Sequence, residues 1–186
     1  NGGLERFVRV EAREIVESMS QSLLDSCRGR FPYESFVDRS IQAIIAPRLE
    51  EMDDPPSFVV IGKTQSGKSA VKGLIQAVCC RMKCPLIVIT KGVGESKELH
   101  AKLEQFACES PVVLASRRPK KYELLSALYA GGTLVVADTP TQVGKAIKSL
   151  ELYREGAVHQ HKKFVVVVDE CDSMYRTPDR IQALEK

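Results

Sequence analysis

Residues 62–69 run Gly-Lys-Thr-Gln-Ser-Gly-Lys-Ser, a complete G-x-x-x-x-G-K-[ST] string. Chains of this pattern turn their backbone N–H groups inward and cradle phosphate oxygens, helped by the positive end of the helix that follows. Here Gly62, Lys63, Thr64, Gln65, Ser66 and Gly67 make the loop, and Ala70 follows it. The expectation is that Lys68 reaches the β- and γ-phosphates as a point charge and that Ser69 offers its hydroxyl to Mg²⁺. The flanks suit that task. Phe58-Val59-Val60-Ile61 reads as a buried strand, and Ala70 to Met82 reads as a helix.

A phosphate loop needs a partner that holds the metal and positions water. Phe164-Val165-Val166-Val167-Val168-Asp169-Glu170 supplies one. Four consecutive valines predict a strand buried on both faces, as in a parallel sheet covered by helices. Asp169 falls at its C-terminal end, the ligand edge of open α/β sheets. There Asp169 holds Mg²⁺ through its water shell, and Glu170 orients or deprotonates the attacking water. Lys68, Asp169 and Glu170 are the expected catalytic set.

Asp169-Glu170-Cys171-Asp172 resembles the D-E-x-D box of superfamily-two helicases and translocases, and Thr64-Gln65-Ser66-Gly67-Lys68-Ser69 resembles their T-G-S-G-K-T loop. Gln65 departs from the family, which usually has glycine there. At a position needing φ > 0, a glutamine costs strain, so the expectation is weakened nucleotide affinity. Further family elements follow in the family's order. Gln42, in Arg39-Ser40-Ile41-Gln42, matches the adenine-reading glutamine, whose amide both donates and accepts. Leu86 to Lys91 resembles motif Ia, and Leu134 to Pro140 resembles motif Ib. The resemblance covers about residues 39–175. It implies ATP and Mg²⁺ as ligands and nucleic-acid backbone contacts from Lys91, Thr139 and Pro140. It also implies that Asp172 couples hydrolysis to movement. An arginine finger would come from a second RecA-like domain, either C-terminal to this one or in trans.

Strand and helix patterns alternate along the chain. Strands are expected at 58–61, 86–90, 112–116, 133–138 and 164–168, with helices at 69–82, 95–108, 121–130 and 141–155. Gly92 and Gly94 are placed in an exit loop, and a last helix is expected over 179–186. This order predicts an α/β fold with a mainly parallel sheet of about five strands and right-handed crossovers. With the resemblance it becomes a three-layer RecA-like P-loop NTPase domain over residues 55–186, truncated before motif III. Residues 1–54 are an N-terminal helical extension. Within it, Leu4, Phe7, Val8, Ile15, Val16, Met19, Leu23 and Leu24 predict one helical stretch over 4–27. A second helix runs over about 34–52, interrupted by Pro47, before the Asp53-Asp54-Pro55-Pro56 linker.

The 186 residues are 44% hydrophobic and 27% charged with net charge +3, a globular composition with no run long enough to span a membrane. Asn1 in place of Met and an end inside an apparent helix suggest a piece of something longer. The six cysteines include the neighbours Cys79, Cys80 and Cys84 but no C-x-x-C pair and no ligand-spaced histidines. They read as thiols of an intracellular protein rather than disulfides or a zinc site. Arg117, Arg118, Lys120 and Lys121, with Tyr122, leave the third strand on the nucleotide edge and suit phosphates of a bound RNA or DNA strand. His159 to Lys163 falls on the opposite edge and reads as a solvated loop. The expected activity is that of a helicase-like, nucleic-acid-dependent ATPase. Two other readings stay open: another acid-pair ATPase such as a viral DNA-packaging motor, and a non-unwinding nucleotide-sensing module.

Overall fold

Apolar residues alternating in direction along short β-branched runs require cover on both sides, and β1 (Leu86–Thr90) and β3 (Thr133–Ala137) receive it. The computed structural model describes residues 2–30, 32–45, 68–106, 109–156 and 163–169. The described residues form seven α-helices and four strands: β1 (Leu86–Thr90), β2 (Val112–Leu114), β3 (Thr133–Ala137) and β4 (Val165–Val168). All pair in parallel, in the order β2-β3-β1-β4. Leu86 sits opposite Thr133 on one side and Val165 on the other. Every residue of β1 and β3 is buried.

Leu86 and Val88 of β1 face one helical layer: α1 (Gly2–Ser18), α2 (Gln21–Cys27), α3 (Tyr33–Ile45), α4 (Lys68–Arg81) and α5 (Gly92–Phe106). Ile87 and Ile89 face the other, built by α6 (Lys121–Tyr129) and α7 (Pro140–Gly156). Each leucine or isoleucine so enclosed contributes about 1.5–3 kcal/mol of transfer free energy. The result is a three-layer α/β arrangement. Gly73 lets α4 close on its neighbours: a Cβ there would stand 2.7 Å from both Leu23 Cδ1 and Phe106 Cδ2.

Several elements depart from the sequence expectation. The stretch 4–27 is two helices. Ser20 is extended (φ −63°, ψ 150°) and caps α2: its hydroxyl accepts from the Leu23 N–H at 3.2 Å and donates to the Phe106 carbonyl at 3.0 Å. The break ties the start of α2 to the end of α5. Strand 112–116 stops at Leu114, and Ala115–Arg117 is a 3-10 turn. Gly92 and Gly94 lie inside α5, not in a loop. The valine run is not enclosed on both faces: residues 165, 167 and 168 are half-buried, and Val166 is 45% exposed. Among the described residues β4 is an outer strand, flanked by β1 alone. The expected strand 58–61, the 46–57 segment with Pro47 and its linker, most of the 159–163 cluster and the 179–186 helix lie outside the described residues.

The N-terminal helices are docked on α4. Val8, Ala12, Ile15 and Met19 recur three and four apart and are buried, giving α1 one apolar face. At its edge the Arg81 guanidinium donates to Glu11 Oε2 at 2.6 Å and also reaches Glu14. Among the described residues no helix is long and apolar enough to cross a membrane.

Candidate functional site

Helix α4 opens with the last two residues of the phosphate-loop string, so Lys68 and Ser69 occupy its first turn. Both are half-buried, and Ala70 behind them is 2% exposed. That end of a 14-residue helix is its electropositive end. Gly62, Lys63, Thr64, Gln65, Ser66 and Gly67 lie outside the described residues, as do Glu170, Cys171 and Asp172.

The acidic half arrives from the sheet. β4 ends at Val168, and the Asp169 N–H extends the parallel ladder by donating to the Ile89 carbonyl at 2.8 Å. This bond sets Asp169 at the C-terminal edge of the sheet. Its Oδ2 accepts from the Lys72 ammonium. Lys72 is one helical turn beyond Lys68, on the same face of α4. The structure therefore joins α4 to the end of β4 across 97 residues of sequence. The Lys72 side chain is 9% exposed and that of Asp169 22%. A lysine so enclosed needs a charged partner, because unpaired burial of an ammonium is prohibitive.

Lys72 was not among the residues the sequence singled out. A lysine inside an amphipathic helix reads as a solvated charge. The signal that could have found it is its i+4 spacing from Lys68, which puts a second cation on the face of α4 that carries Lys68.

The donors present suit Mg²⁺. The ion takes one or two carboxylates and hydroxyls, with phosphate oxygens and water completing its shell. Asp169 offers a carboxylate and Ser69 a hydroxyl of the kinds such an ion could take, and the Lys72 contact ties Asp169 to the helix that carries Ser69. Among the described residues no group of three or more His, Cys, Asp or Glu side chains gathers around a metal-sized space.

The neighbouring exit loops lie on the same edge. Asp138, 8% exposed, follows β3 and clamps the loop after β1. Its N–H donates to the Thr90 carbonyl at 2.8 Å, and its Oδ1 accepts from the Gly92 N–H at 3.0 Å. Gly92 has φ +74°, a conformation that suits glycine. Lys91 is thereby held, exposed, between them. Thr139 is half-buried, and Pro140 is exposed at the first position of α7, where a proline costs no helical hydrogen bond. Asp138 lies inside the run that resembles motif Ib, but nothing local in the sequence marks it as the residue that ties the two exits together.

The basic cluster leaves β2 on this edge too. Arg117, Arg118, Lys120 and Lys121 divide between the 3-10 turn, its left-handed exit residue Arg118 (φ 52°) and the start of α6. Arg117, Arg118, Lys120 and Lys121 are exposed, as is Tyr122, and the Lys120 ammonium stands 5.8 Å from the Tyr122 ring centroid. Arg117 and Lys97 line a groove of about 510 Å³ between α5 and the end of β2. Gln42 is exposed on α3, a helix packed on α4, and the structure brings no other site residue against it among the described residues.

At the opposite edge, the Lys163 ammonium donates to the Ile44 carbonyl at 2.9 Å, anchoring the start of β4 to the end of α3. Cys27, Cys79, Cys80 and Cys84 are free thiols. No family model, no curated protein and no solved structure matches this chain.

Proposed function

We propose that this chain is the ATP-binding and ATP-hydrolysing, RecA-like motor domain of a helicase-like, nucleic-acid-dependent ATPase. The observation that carries the reading is the meeting of α4, which opens on Lys68 and Ser69, with Asp169 at the C-terminal end of β4. A phosphate-binding helix start and a strand-end aspartate on one sheet edge form the two halves of a triphosphate site.

In this reading Lys68 neutralises the β- and γ-phosphates, and Ser69 with Asp169 would hold Mg²⁺. Such an ion, when bound, would withdraw charge from the oxygens around the P–O bond that breaks. Glu170, next to Asp169 in sequence, takes the proton of the attacking water or aims it. Gln42 reads adenine and Asp172 couples turnover to movement. Lys91, Arg117, Arg118, Lys120, Lys121, Thr139 and Pro140 contact the phosphates of an RNA or DNA strand. The transition-state arginine comes from a second RecA-like domain, and the isolated chain turns ATP over slowly, since such a finger is worth about 10³-fold or more.

Fluorescent ATP binding, with and without Mg²⁺, tests the reading. Wild type binds, and Lys68→Ala weakens binding by about tenfold or more, equivalent to about 1.4 kcal/mol of lost phosphate contact. Equal binding by wild type and Lys68→Ala would refute it. Turnover that rises with added RNA or DNA supports the motor assignment. Turnover indifferent to both favours the nucleotide-sensing alternative.

A further inference from the structure

Lys72 has no role in the site just proposed, yet it holds the carboxylate on which that site depends. It is 7% exposed and lies on α4, a helix whose other buried residues include Gly73, Leu74, Ile75 and Gln76. The next residue along the face that carries Lys72, Gln76, is 1% exposed, and both polar atoms of its side chain lack a partner among the described residues. A polar stripe of Lys68, Lys72 and Gln76 thus runs four residues apart down a helix whose other inward positions are apolar.

An ammonium on Asp169 Oδ2 occupies acceptor capacity that a hydrated cation would use. It also sets a fixed positive charge beside the place where a divalent ion would stand, and like charges at such range repel strongly when only partly solvated. The geometry points to Lys72 as an internal counter-ion that competes with Mg²⁺ for Asp169. It holds the carboxylate in place before nucleotide arrives and sets the magnesium concentration at which nucleotide is captured. This inference rests on the nucleotide-site reading, and it assigns Lys72 a positioning role rather than a catalytic one.

The charge on Lys72 is what the proposal turns on, so the variants change charge or grip and keep length. Lys72→Met preserves the apolar stem and removes the ammonium. Lys72→Arg keeps the pair and strengthens it through the guanidinium fork. Fluorescent ATP binding is followed while Mg²⁺ is titrated at fixed nucleotide. With Lys72→Met the magnesium midpoint falls at least about threefold, the direction required by losing a repulsive charge. With Lys72→Arg it rises, while binding at saturating Mg²⁺ stays within about twofold of wild type. Should Lys72→Met fail to fold, Lys72→Arg still decides the question. A purely structural lysine moves the melting temperature and leaves both midpoints at the wild-type value, and that result overturns the proposal. A higher midpoint in Lys72→Met overturns it as well. If wild type itself captures no nucleotide at any magnesium concentration, the nucleotide reading fails first. Normal wild-type capture with unmoved midpoints isolates the failure to Lys72.

Discussion

Asp138 and Gly92 show how a single side chain organises a loop edge. The carboxylate accepts from the Gly92 N–H while its own N–H closes onto Thr90, so the exits of β1 and β3 are tied together through one residue. Gly92 meets the carboxylate at φ +74°. An L side chain at that φ costs about 1–2 kcal/mol. Gly92→Ala is therefore expected to lower unfolding free energy by that amount in urea titrations. Asp138→Ala should cost about 1–3 kcal/mol, the cost of leaving the Gly92 N–H without its acceptor. Because both changes disturb the same contact, the double variant should cost less than the sum. Strict additivity would mean that the hydrogen bond carries no energy and the two residues act apart.

Helix α4 ends as instructively as it begins. Lys83 takes a left-handed conformation (φ 52°), its N–H donates to the Cys80 carbonyl at 3.2 Å, and the Cys84 N–H reaches the Cys79 carbonyl at 2.9 Å. This pair of bonds is the Schellman stop, in which glycine is the usual residue at the left-handed position that Lys83 occupies here. Lys83→Gly should relieve the strain and raise stability by up to about 1 kcal/mol, read as a higher thermal midpoint. A drop would show that the lysine stem supplies packing that outweighs its backbone cost. Element by element, periodicity made most of the fold legible: β1 falls on 86–90 as expected, and the bounds of α4, α6 and α7 shift by one residue. What it missed depends on partners distant in sequence. The split between α1 and α2 needs the Phe106 carbonyl beside Ser20. The half-exposed state of the valine run depends on what packs on its two faces in the folded chain, which composition does not encode. Of the candidate site, Lys68, Ser69 and Asp169 could be singled out because local motifs carry them. Lys72 and Asp138 could not, because each acquires meaning only through a contact made by the folded chain.

Across the whole molecule, the sheet separates two apolar layers, and each encloses an ionisable group in its neutral form. Cys27 is fully buried in the layer of α1 to α5, where burial pushes its thiol up to about 11 from the ordinary 9.0, against the opposing pull of Arg30. Tyr153, 1% exposed in the layer of α6 and α7, is pushed by burial up to about 12 from 10.0. Both shifts have the same sign. Below the unfolded values each group is neutral in both states, and its full contribution to stability is present. As pH rises, the unfolded chain ionises first and folding must return the proton, so stability is lost progressively from about 9 toward 11 for the thiol and from about 10 toward 12 for the phenol. Unfolding of the two layers as one cooperative unit would report both losses in a single transition. Thermal midpoints measured from pH 8 to 11 should therefore fall, most steeply above 9. Cys27→Ala should flatten the part between 9 and 11, and Tyr153→Phe should flatten the part above 10. A wild-type profile that stays level to pH 11 would mean that these groups ionise inside the fold without cost, which the burial seen on both faces of the sheet does not allow.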